Sequence, residues 1–260
     1  MTTHALRTPW LTAARAQFRL LWWSRRAMML MMILIGTFIM LEVLMYVFRE
    51  TLKVDTAGPT VTQSLLLEEM IGVVLLVAFG WGIAVWRGET AEQRAQMLTA
   101  PIDSSKHEFA RVAAGAAWLL LGIAGFLLVG VTGAVVRGNA GSIAAVSWLT
   151  WVLFITGPLL AFSLSVPVAT ATPRAFEYIT FSIIGFYLVV IVLVLRGYED
   201  FVEAYLAPVF AGKYGIGAAF TPGIGMQGKT IGSWLLALVL WYALTAAALY
   251  GVLRWRRGRT

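Results

Sequence analysis

The sequence predicts an all-α, polytopic membrane protein with six transmembrane helices. Three observations carry this. The 260 residues are 60% hydrophobic and only 13% charged, where a soluble domain carries roughly a quarter charged residues. The apolar residues fall in blocks of bilayer length, since about 20 residues at 1.5 Å each cover the hydrocarbon core. The blocks are continuous and do not alternate, which selects helices over barrel strands.

In chain order, Met1–Arg26 is a basic tail with helical periodicity. From Pro9, residues Trp10, Leu11, Ala14, Phe18, Leu21 and Trp22 recur on one face and Arg15, Arg19 and Arg26 on another. Proline suits a first helical turn, so the tail predicts an amino-terminal interfacial helix. The six spans are Ala27–Phe48, Leu66–Trp86, Val112–Val136, Ser147–Thr170, Ala175–Leu195 and Ile231–Leu253. The first is too long for a signal-peptide core and no small-residue cleavage site follows it, so it is read as a retained span. Pro158 and Pro167 predict kinks in the fourth. Gly157, Ala161, Ser165 and Ala169 in the fourth span, and Ala243, Ala247 and Gly251 in the sixth, recur every four residues and permit close helix approach.

The loop 196–230 precedes the last span. Asp200 and Glu203 have the spacing of a capping pair, an apolar stripe runs from Phe201 to Val209 with its end near Pro208, and seven glycines flank or follow it. Two readings stay open: a short helix that enters the outer leaflet and turns back, or a plain surface loop. Non-helical backbone at membrane depth is tolerated only against protein or a water-filled cavity.

Basic residues orient the whole. Arg7, Arg15, Arg19, Arg25 and Arg26, then Arg87, Arg94, Lys106 and Arg111, then Arg174, then Arg254, Arg256, Arg257 and Arg259 border one side. Only Arg49, Lys53, Arg137, Arg196, Lys213 and Lys229 border the other. The bias predicts both termini in the cytosol. The net charge of +7 is explained by orientation and anionic lipid, so nucleic acid is not an expected partner.

The most informative segment is the charged insert Arg87–Arg111 between spans two and three. It is too short for a domain and too polar for lipid. Thr90 and Gln93 form a capping-box pair, helix-favouring residues follow through Thr99, and Pro101 stops the helix. Ser105 and Glu108 form a second capping box that opens the helix of the third span. The insert therefore reads as about 14 Å of helix lying on the membrane surface, offered to a soluble partner, with the chain re-entering the membrane after Arg111.

At this point the sequence resembles the permease subunits of type-2 ABC exporters. In that family spans two and three are joined by an acidic stretch, a coupling helix, a Leu-x-x-Pro-like turn and a basic residue opening the third span. Glu89, Glu92, Met97, Leu98, Pro101 and Arg111 occupy those places. The family's Gly-Thr-Leu-Glu before the turn is missing, and arginine stands where lysine is common. The resemblance implies that Glu89, Glu92, Gln93, Arg94, Met97, Leu98 and Pro101 dock a separate cytosolic ATPase. It also implies that a second permease subunit, identical or not, completes the path. ATP would be bound and hydrolysed by the partner, so the chain itself needs no cofactor and is not an enzyme.

The remaining candidates are weaker. Gly223 to Thr230 matches the G-x-x-x-x-G-K-[ST] phosphate loop in letters, but that loop needs a preceding strand and a soluble α/β domain, and neither fits here. There is no cysteine, which removes disulfides, thiolate metal sites and cysteine nucleophiles, and His4 and His107 both lie outside the spans. His107-Glu108 begins like a zinc motif, but Arg111 fills its last position. Six methionines of the first span suggest soft-metal ligation, with adaptable packing as the simpler account. Glu42 is the one acid well inside a span; it either faces the translocation path or another helix, or snorkels to the outer interface. Phe181 and Tyr187 of the fifth span line a route for an amphipathic cargo, or contact lipid and helices.

The expectation is thus the transmembrane subunit of an ATP-driven exporter in the inner (plasma) membrane. Its cargo would be a small amphipathic compound, a lipid or a lipid-linked glycan. The alternative is a self-powered channel or secondary transporter, which should show more intramembrane charge or repeat symmetry.

Overall fold

The computed structural model describes residues 9–22, 61–87, 104–136, 140–172, 174–210, 212–220 and 230–257, with the helical positions Met29, Met32, Gly36 and Met40. Among the described residues there is no strand. Four helices are long and apolar enough to cross a membrane, within Glu108–Val135, Trp148–Ala171, Glu177–Leu195 and Ile231–Trp255. Ile71–Trp86 is a fifth apolar helical stretch, of shorter length. The chain is therefore a helical membrane protein. The first predicted span, Ala27–Phe48, lies almost wholly outside the described residues, and Met29, Met32 and Met40 within it are exposed.

The chain forms two compact units, Met1–Phe162 and Ser163–Thr260. In the first, α1 (Pro9–Trp22), α2 (Val61–Arg87), α3 (Ser104–Val136) and α4 (Ala140–Ala145) are followed by the opening turns of α5 (Trp148–Ala171). The spine is α3, against which α1, α2 and α4 all pack. Helix α1 starts at the predicted proline; Leu21 is buried, Ala14 and Phe18 half-buried, and Arg15 and Arg19 exposed. Gln17 is also buried, which the periodicity did not suggest.

Helix α2 runs antiparallel to α3. The Trp81 and Trp118 rings stack at 4.5 Å, and Trp81 Nε1 donates to the Gly115 carbonyl at 2.9 Å. Gly115 lets three helices meet: a Cβ there would stand 2.9 Å from Phe162 Cζ on α5 and 3.1 Å from Val85 Cγ2 on α2. Farther along α3, Phe126 meets Phe154 of α5 at 6.1 Å between centroids. Inside a bilayer such contacts hold by close packing more than by hydrophobic transfer.

Helix α5 continues through Pro158 and Pro167. Its small residues Gly157, Ala161, Ser165 and Ala169 are all buried, in keeping with their spacing.

In the second unit, α6 (Ala175–Leu195) matches the predicted span residue for residue. Gly197 ends it with φ +78; Tyr198 N–H donates to Leu193 O at 3.0 Å and Gly197 N–H to Val194 O at 2.9 Å. This is the Schellman arrangement, which satisfies carbonyls that the helix end leaves over. The loop then folds as α7 (Glu199–Phe201), a π-helical turn (Val202–Leu206), α8 (Ala207–Phe210) and α9 (Ile216–Phe220). The predicted cap at Asp200 is not formed: Tyr198 holds the N-cap position, without a side-chain cap, and Asp200 already stands in the first turn. The helical run also passes Pro208, because the wider π turn upstream relieves the clash and missing N–H of that proline.

The last helix, α10 (Ile231–Arg257), runs beyond the predicted Leu253. Thr230 and Ser233 open it reciprocally: Thr230 N–H donates to Ser233 Oγ at 2.9 Å and Ser233 N–H to Thr230 Oγ1 at 3.2 Å. Its buried face carries Trp234, Ala237, Leu238, Thr245, Leu249 and Leu253. Ala243, Ala247 and Gly251 are exposed on the opposite face, so the second small-residue stripe packs against no neighbour among the described residues.

Candidate functional site

The insert predicted to dock a partner is bracketed by the end of α2 at Arg87 and the start of α3 at Ser104. Glu89, Glu92, Gln93, Arg94, Met97, Leu98 and Pro101 lie outside the described residues, as does the Thr90–Gln93 cap. What the structure describes is the base from which they spring, and that base is built around Arg111.

The sequence reading puts Arg111 at the point of membrane entry, as a surface charge. Instead it sits about two turns inside α3 and is 2% exposed. Its Nη2 donates to Val85 O at 2.6 Å and Trp86 O at 2.9 Å, and its Nε to Val85 O at 3.1 Å. The last four carbonyls of a helix lack intrahelical donors and carry the negative end of its dipole. Arg111 answers both needs. Its planar fork reaches two adjacent carbonyls, which a lysine cannot do with one ammonium. The guanidinium also stands 4.8 Å from the Trp86 ring centroid, a cation–π contact strengthened by burial.

The physical result is a clamp. The C-terminal turn of α2 and the N-terminal turns of α3 are tied through one side chain, with the Trp81–Trp118 stack beneath them. The Nε1 atoms of Trp86 and Trp118 are buried without a hydrogen-bond partner among the described residues, so both rings serve by their faces. The observed α3 already includes Ser104, so Ser105, predicted as its cap, lies within the first turn.

The other candidates do not converge on this base. Glu42 is outside the described residues. Phe181 lies on α6 and is 71% exposed; Tyr187 lies on the same helix. Glu177 is exposed and pairs loosely with Arg174 at 4.0 Å, a surface pair worth little. Among the described residues no group of three or more His, Asp or Glu is placed to hold a metal. Thr230, last residue of the phosphate-loop look-alike, is engaged in capping α10, a structural task.

A second arrangement was only half visible in the sequence. Trp234 Nε1 donates to Ala219 O at 3.3 Å and Trp241 Nε1 to Tyr214 O at 3.1 Å. Two indoles seven residues apart on α10 thus hook the loop before the last span. Gly212 closes the turn between α8 and α9: its N–H donates to Pro208 O at 3.2 Å, and a Cβ would collide with that carbonyl. No family model matches the sequence, and neither a curated protein nor a solved structure matches it.

Proposed function

We propose that the chain is the transmembrane subunit of an ATP-driven exporter of the type-2 ABC kind. Its insert 87–111 seats in a cytosolic ATPase, and a second permease subunit completes the path. The observation that supports this reading is the Arg111 clamp. A docking segment transmits work only if its base is stiff, and a bidentate arginine across the ends of α2 and α3 makes that base one mechanical piece. Movement of residues 88–103 would then be felt by both helices together. The expected cargo is a small amphipathic compound, a lipid or a lipid-linked glycan, and the segment before the last span re-enters the membrane beside α10.

The test is co-purification of the full-length chain in mild detergent, with and without Leu98→Glu. The reading expects an ATPase subunit to accompany the native chain, ATP hydrolysis by the reconstituted pair, and loss of both with Leu98→Glu. Absence of an ATPase together with intact transport by Leu98→Glu overturns it.

A further inference from the structure

The two indole hooks measure depth. Trp234 and Trp241 are seven residues apart on one continuous helix, so their levels differ by about 10 Å along its axis. Both side chains lean towards the N-terminal end of their helix, which leaves that difference intact. The carbonyl of Ala219 lies at the shallow level and that of Tyr214 at the deep one. Helix α9, which packs on α10, joins the two levels. Counting back about 20 residues from Arg254 puts one edge of the hydrocarbon near Trp234. The turn at 212–215 then stands about 10 Å inside the bilayer.

That turn is not helical, and it carries Lys213. The side chain is exposed, with its ammonium 5.7 Å from the Tyr214 ring centroid. Among the described residues no carboxylate lies within ion-pair distance of it. An ammonium at such depth is costly in lipid and persists where water or an anion reaches it, as does irregular backbone. The acids Glu199, Asp200 and Glu203 are all on the descending arm and exposed, so the tip itself is a position of single positive charge.

We propose that the 212–215 turn lines a water-filled recess in the membrane, and that Lys213 there receives the anionic headgroup of an amphiphile. The indole of Trp241, donating to the Tyr214 carbonyl, fixes the backbone beneath Lys213. An anionic amphiphile suits this position because its charge meets Lys213 while its chain lies along the exposed apolar residues of the same unit, Val209 and Leu240 among them. The proposal rests on the re-entrant reading of residues 199–220 and is independent of the ATPase.

The chain has no cysteine, so one introduced thiol is a unique probe. Tyr214→Cys keeps the backbone carbonyl that Trp241 binds. The full chain is reconstituted in phosphatidylcholine vesicles, and the thiol is challenged with anionic and cationic water-soluble methanethiosulfonates. Val239→Cys, on an exposed face of α10 away from the Trp241 side and at similar depth, is the lipid-facing control and is expected to be inert. Tyr214→Cys is expected to react. A unit charge about 6 Å away in water-like surroundings changes each rate about threefold, in opposite directions for the two reagents. Lys213→Gln should therefore lower the anionic-to-cationic rate ratio about tenfold, and Lys213→Arg should retain it.

Vesicles containing phosphatidylglycerol should slow the modification in the Lys213 protein and not in Lys213→Gln. Inorganic phosphate added to phosphatidylcholine vesicles is the soluble-anion arm. An inert Tyr214→Cys removes the recess and the re-entrant reading with it. A reactive thiol whose rate ratio ignores Lys213→Gln leaves the recess and removes the role of Lys213. Protection by phosphate alone, or by neither anion, overturns the headgroup assignment.

Discussion

Replacing Arg111 by methionine removes the guanidinium but keeps an apolar stem of similar length. Val85 O and Trp86 O then lose their donors at a site where the arginine itself is 2% exposed. Hydrogen bonds to charged groups contribute about 1.5–3 kcal/mol each in soluble proteins, and inter-helix polar contacts in membranes somewhat less. Part of the loss is offset because the arginine's own charge no longer has to be desolvated. The net expectation is about 3 kcal/mol of destabilisation, which for a chain of this size lowers Tm by about 6–12 °C. The assay is the apparent Tm in detergent at a fixed scan rate, since such unfolding is rarely reversible. Arg111→Lys should fall by about half as much, because one ammonium cannot reproduce the fork. Arg19→Met, on the exposed face of α1, should stay within about 0.5 kcal/mol of the native chain. Hydrogen exchange should quicken in the last turn of α2 and the first turns of α3 while α10 is unchanged. If Arg111→Met melts within about 2 °C of the native chain, the clamp contributes little and the stiff-base argument fails.

Gly115→Val should cost about 1–3 kcal/mol by overpacking against Phe162 and Val85, and adding Phe162→Leu should recover part of the loss in a double-mutant cycle of melts. Gly197→Ala should cost about 1 kcal/mol, because φ is +78 there; Gly185→Ala, with open space around its Cβ, should be neutral or stabilising by about 0.5 kcal/mol in the same assay. Thr230→Ala should cost about 1 kcal/mol by removing half of the reciprocal cap of α10, and Ser233→Ala a similar amount, the pair being less than additive.

The spanning helices were legible because lipid imposes one rule on a long apolar run, namely that its backbone be satisfied internally. Ala175–Leu195 matches its predicted bounds for that reason, and Ile231 is the observed start of α10. What the sequence hid is where polar side chains go. Arg111 reads as a border charge because basic residues usually flank spans; only the antiparallel register, with Val85 beside Arg111 and Trp81 beside Gly115, brings it to the carbonyls of α2. The stripe Ala243, Ala247, Gly251 looks like that of α5, yet the α10 stripe is exposed and the α5 stripe buried. A repeat of small residues states that approach is permitted and not that a neighbour is present. Asp200 failed as a cap because Gly197 ends α6 so tightly that the next helix starts at Glu199.

A common logic links the two side-chain devices of this protein. Where the chain leaves a helix, backbone carbonyls lose their donors, and each one left buried without a partner is expensive. At the end of α2 the donors come from Arg111, reaching Val85 and Trp86. Along the loop before α10 they come from Trp234 and Trp241, reaching Ala219 and Tyr214. Both donor types are long and planar, deliver an N–H from a neighbouring spanning helix, and carry no acceptor that would itself need satisfying. A polar turn beside a span is thereby positioned by the span, so displacement of one is felt by the other. Substituting such a donor should therefore quicken hydrogen exchange beside it, in the end turns of α2 and α3 or in residues 199–220, while helices it does not touch stay protected.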